Sequence, residues 1–102
     1  MTDHTLALCR AAFERWRGGD VEFVQVRRSA RTAFFQVSVG GKTFALHCLD
    51  PQRIETEVRW SNCDLTIEQR SDEPRFVVTD KRAGFRVTCG AVNVGDAPAS
   101  WS

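Results

Sequence analysis

The sequence predicts an α+β protein: one N-terminal amphipathic helix packed on a curved antiparallel β-meander of about six strands, half-barrel-like in outline. Three observations carry this. Residues 3–17 repeat apolar side chains at helical spacing, and the rest of the chain alternates apolar and polar residues in short runs separated by turn residues. Between two of those runs sits Gly40-Gly41, and a two-residue hairpin loop needs the positive φ that glycine adopts without strain.

In the helix, Leu6, Cys9, Phe13 and Trp16 form the apolar stripe, Leu8 and Ala12 widen it, and Arg10, Glu14, Arg15 and Arg17 lie away from it. Thr2 or Asp3 supplies an N-cap and Gly18 an end. A strand over 21–28 follows, then the hairpin strands 32–39 and 42–49. Opposing Val39 to Lys42 sets Val37 against Phe44, Phe35 against Leu46 and Ala33 against Cys48 on one face, and Ser38/Thr43, Gln36/Ala45 and Phe34/His47 on the other. Asp50-Pro51 stops pairing, because proline lacks an amide donor. Further strands are expected over 54–60, 64–70, 74–79 and 85–94, with turns at Ser61-Asn62, at 71–74 and at 80–84. Residues 95–102 read as a loose tail in which Trp101 is able to dock.

One helix does not cover so many strands, so the sheet must curl around it or leave part of a face for a partner. The later strands carry mixed charges on their outer side, the ordinary solvated pattern. The first three are apolar on both faces. Val21 and Phe23 share one parity and Val24 and Val26 the other, while Phe34, Ala45 and Leu49 oppose the face of Phe35, Val37, Phe44 and Leu46. Two readings account for this: a β-bulge that shifts parity within the first strand, or a contact face made by Val24, Phe34, Ala45, His47 and Leu49.

The 102 residues make a single domain, and 42% hydrophobic with 26% charged residues at a net charge of +1 excludes a disordered tail and a polycation. No apolar run has membrane length and no charged-then-apolar leader opens the chain, so the expectation is a cytoplasmic protein with no membrane contact. Cys9, Cys48 and Cys89 fall at core parity, and all four cysteines, Cys63 included, are expected as free thiols. Arginine outnumbers lysine twelve to two, the bias of a GC-rich bacterial or mobile-element genome.

Candidate chemistry is sparse. His47, Cys48 and Asp50 suggest an activated thiol, but neighbours on a strand point to opposite faces, so His47 does not reach Cys48. The cysteines lack the paired spacing of a structural zinc site. Glu55 and Glu57 share one side of a strand about 7 Å apart, alternating with Arg59 as a solvated face does. Gly40-Gly41-Lys42 has no helix after it to aim amides at a phosphate. No catalytic residue, cofactor or metal is assigned.

Arg27, Arg28 and Arg31 cluster before the hairpin, and the first 49 residues carry seven basic and four acidic side chains against seven and nine in the remainder. Together with the apolar face this defines a partner-binding set: Val24, Arg27, Arg28, Arg31, Phe34, His47 and Leu49. The expected function is a small non-enzymatic protein-binding factor, a stoichiometric inhibitor or immunity-type protein, whose partner is another protein or a second copy of itself. The alternative is a nucleic-acid-binding module using the arginine-rich hairpin face to contact phosphates and stack bases.

Overall fold

The structure is a computed structural model that describes residues 4–27, 29 and 31–97, His4 and Thr5 by backbone alone. Helix α1 (His4–Trp16) buries Cys9, Ala12, Phe13 and Trp16 as its spacing requires. Leu8 does not widen the stripe as expected: it is 63% exposed, because it lies one step around the helix from the buried side. Thr2, Asp3 and Trp101 lie outside the described residues. At the other end Gly18 takes φ +86° and the Gly19 amide donates to the Trp16 carbonyl at 2.9 Å. Gly19 itself admits no side chain, since a Cβ there would stand 2.7 Å from the Ser38 carbonyl oxygen.

Strands β1 (Asp20–Arg27), β2 (Thr32–Val39) and β3 (Lys42–Leu49) form the expected meander. The β2–β3 register is the predicted one at every pair from Ala33↔Cys48 to Val39↔Lys42, and Gly40 and Gly41 take φ +60° and +78°. In β1, Phe23 opposes Phe35 but Gln25 opposes Phe34, so Val24 is an extra, bulged residue. The shift returns Val26, opposite Ala33, to the same side as Val21 and Phe23.

The later strands depart from the predicted boundaries. Residues 54–60 are not one strand: β4 (Arg53–Glu55) and β5 (Arg59–Trp60) belong to different sheets. Residues 85–94 likewise divide at Gly90 into β8 (Phe85–Cys89) and β9 (Ala91–Asp96), and β9 takes in Gly95 and Asp96 from the expected tail. With β6 (Thr66–Gln69) and β7 (Phe76–Asp80), the described residues hold nine strands in two antiparallel sheets, ordered β5-β1-β2-β3-β9 and β4-β8-β7-β6. The division has a physical cause at the crossing between sheets. Asp50 adopts φ +52° before Pro51, the Gln52 amide donates to the Thr88 carbonyl at 2.7 Å, and the Gly90 amide donates to the Leu49 carbonyl at 2.9 Å. Beyond that corner the chain pairs with whichever strand lies alongside, which local alternation does not encode.

Neither sheet closes on itself among the described residues, and α1 bridges them, packing on β6 of one and on β2 and β9 of the other. The core between is aromatic. Phe35 stacks on Phe23 with ring centroids 5.0 Å apart and meets the edge of Phe85 at 5.2 Å, while Trp16 lies 5.6 Å from both Phe13 and Phe44. No helix of the described residues is long and apolar enough to cross a membrane. Phe35 is fully buried whereas Phe44 is partly exposed at the hairpin end. Truncating Phe35 to Ala is therefore expected to cost about 3–5 kcal/mol, and the same change at Phe44 clearly less. Urea midpoints of the two variants check this, and equal midpoints would contradict the packing.

Candidate functional site

The predicted partner-binding residues fall in two places. Arg27, Phe34 and His47 form a row across β1, β2 and β3: the Arg27 guanidinium sits 5.8 Å over the Phe34 ring, and Phe34 meets the His47 imidazole edge-on at 4.7 Å. Arg31 and Leu49 stand at the end of that face, where Arg31, at φ +49°, makes a 2.6 Å ion pair with Asp50. Arg28 lies outside the described residues. The face is not uniformly open: Phe34, His47 and Leu49 are half-buried, and Ala45, flanked by the larger Gln36, Thr43 and His47, is only 2% exposed.

The open apolar surface lies instead along the margin of β1. Val24 and Val26 are 37% and 46% exposed, and Val58 is 71% exposed. Strand β5 pairs β1 only at Val21 and Glu22, with one further bond from the Phe23 amide to the Val58 carbonyl at 2.8 Å. From Val24 to Arg27 no strand lies on the outer side of β1 among the described residues. Sequence reasoning placed Val58 inward in a strand 54–60; it belongs to the connection between β4 and β5, where parity has no meaning. Glu57 lies in the same connection, so the Glu55/Glu57 pair does not share a strand, and Glu55 is held by Arg53 at 2.9 Å.

Burial lowers the pKa of His47 below its ordinary 6.5. The folded protein thus favours neutral imidazole, and below about pH 6.5 the unfolded chain binds the proton first. This contribution to stability is full above that pH and is lost as pH falls through it toward the folded pKa. His47→Gln is expected to flatten the dependence of the urea midpoint between about pH 7 and about pH 5. A variant with the wild-type slope would show that the imidazole is solvated.

The four cysteines are free and buried. Cys48 and Cys89 meet between the sheets, where the interaction between the two thiols, with burial, pushes Cys48 well up, and the same interaction brings Cys89 down. Burial, with Cys89 nearby, pushes Cys9 up to about 11, and burial raises Cys63, whose thiol donates to the Trp16 carbonyl at 3.1 Å. His47, on the opposite face, takes no part in this cluster. Among the described residues no three His, Cys, Asp or Glu side chains are arranged to hold a metal ion. Burial of all four, with the pKa raised at Cys9, Cys48 and Cys63, predicts slow reaction with a thiol reagent in the native state and four equivalents in denaturant without reductant. A titre of two would reveal a disulfide.

A second site escaped sequence reasoning, which read Asp80 as a turn residue. Asp80 ends β7 and is 1% exposed. Its Oδ2 accepts from the Trp60 indole Nε1 at 2.8 Å and from the Asp64 amide at 2.9 Å, while Oδ1 is buried without a hydrogen-bond partner among the described residues. Beside it lies a cavity of about 230 Å³ lined by Trp60, Ser61, Asn62, Asp80, Arg82 and Ala83. The sequence offers no signal for this site, because Asp80 is buried by residues 60–64, joined to it only in the folded chain. Compared with protein-family models, curated proteins and solved structures, the chain matches none.

Proposed function

We propose that the protein is a non-enzymatic factor of the inhibitor or immunity type that binds another protein stoichiometrically through the open margin of β1. The observation that carries this reading is the exposure of Val24, Val26 and Val58 along a stretch of β1 that lacks an outer strand. Exposed branched side chains on an unpaired sheet edge favour covering by another chain. Arg27 at the end of the strand favours an acidic partner surface, in keeping with the basic bias of the first 49 residues. Protein is favoured over nucleic acid because neighbouring guanidiniums already have carboxylate partners: Arg31 with Asp50 at 2.6 Å and Arg59 with Glu22 at 3.4 Å. A cytoplasmic setting belongs to the same reading, supported by four free thiols. So does a bacterial or mobile-element origin, supported by the arginine bias.

Copurification from the native host, with mass spectrometry of bound proteins, tests the proposal. The wild type should retain a partner in fixed ratio. Val26→Glu and Val58→Asp should each weaken retention about tenfold or more, with the fold kept because both positions are open. Arg27→Ala should slow association and flatten its salt dependence. Tight binding of random oligonucleotides with a steep logarithmic salt dependence, abolished by Arg27→Ala, would establish the nucleic-acid alternative instead.

A further inference from the structure

The cavity beside Asp80 is lined by a carboxylate and a guanidinium that do not pair. Arg82 forms no ion pair among the described residues, and Asp80 is bonded only through Oδ2. A buried carboxylate oxygen without a donor is costly, and such groups in native proteins serve a bound group, strain or chemistry. A carboxylate and a guanidinium that line one cavity without pairing complement a ligand that carries the inverse pair of charges. Ser61 and Asn62 add a hydroxyl and an amide, and the Trp60 ring supplies a flat wall able to face a cation.

We propose that this cavity binds a small amino-acid-type zwitterion, with its ammonium toward Asp80 and its carboxylate toward Arg82. Its lining residues include none of Val24, Val26 and Val58 at the β1 margin. A cavity of about 230 Å³ lined by a carboxylate, a guanidinium, a hydroxyl and an amide suits a small polar molecule better than a lipid chain. Arg82 is exposed and its charge is screened, so the expected affinity is in the millimolar range. Oδ1 is sealed from solvent, so ammonium entry requires a side-chain movement at the cavity wall, and Arg82 is the exposed, flexible member.

The test is a titration of the full-length 15N-labelled protein at constant ionic strength, following the Trp60 indole N–H that donates to Asp80 and assigning it by its loss in Trp60→Phe. Glycine should shift this resonance saturably. Methylammonium and acetate, which each offer one half of the charge pair, should bind at least about tenfold more weakly. Arg82→Ala should reduce glycine to the level of methylammonium, and Ala83→Leu, which narrows the cavity, should weaken both responses. These two variants leave the buried hydrogen bonds of Asp80 in place, so they decide the matter even if Asp80→Asn fails to fold. No saturable shift, a response to glycine no stronger than to either half, or wild-type binding by Arg82→Ala and Ala83→Leu would overturn the proposal.

Discussion

The tight turn at Gly40-Gly41 is the constraint on which the larger sheet depends. With both glycines at positive φ, Val39 must face Lys42, and alternation then sends Ala33, Phe35, Val37, Leu46 and Cys48 to one side. A slip of one residue would turn one strand over against the other, setting Ala45 and His47 beside Ala33, Phe35 and Val37 in place of Leu46 and Cys48 and leaving too little apolar volume to meet Phe85 and α1. The outer strands inherit the choice: β1 is laid on β2 and β9 on β3, so the faces of both are set by a turn in which neither takes part.

The bulge at Val24 resolves the conflict that the first strand presents. Val21 and Phe23 point into the core, and strict alternation would have sent Val26 outward with Val24. The inserted residue restores Val26 to the inner side and places Gln25 and Arg27 beside Phe34 and Thr32 on the outer one. Val26 nonetheless remains 46% exposed. The two readings of the apolar first strand are thus not exclusive: the bulge corrects its parity and leaves a short apolar margin uncovered.

What was legible in the sequence is what depends on neighbours a few residues apart. Cys9, Phe13 and Trp16 lie on one helical stripe, and the partners in the β2–β3 hairpin are fixed by a two-residue loop, so both were readable before any fold was known. The divisions at 56–58 and at Gly90 were not, because an alternating run looks the same whether it continues in one sheet or passes to another. Val58 shows the consequence. Its spacing from Ile54 and Trp60 suggested a core position, yet the chain leaves its strand after Glu55 and the side chain ends in solvent. Of the predicted contact residues, Arg27, Phe34 and His47 were readable as neighbours because all lie on the meander. Asp80 was not, because its partners are set by tertiary packing.

Residues 60–64 connect these regions. The Cys63 amide donates to the Gly19 carbonyl at 3.0 Å, the Gly18 amide donates to the Cys63 carbonyl at 2.9 Å, and Arg17 reaches Asp64 at 3.5 Å. The same few residues place Trp60 and the Asp64 amide on Asp80. Strand β5 is only two residues long, too short to be held by its ladder alone. The bond from Trp60 to a buried carboxylate, in low dielectric, is stronger than a further exposed ladder bond would be. Asp80 therefore anchors β5 against β1, and in doing so it sets where the cover over Val21 to Phe23 stops and the open margin beginning at Val24 starts.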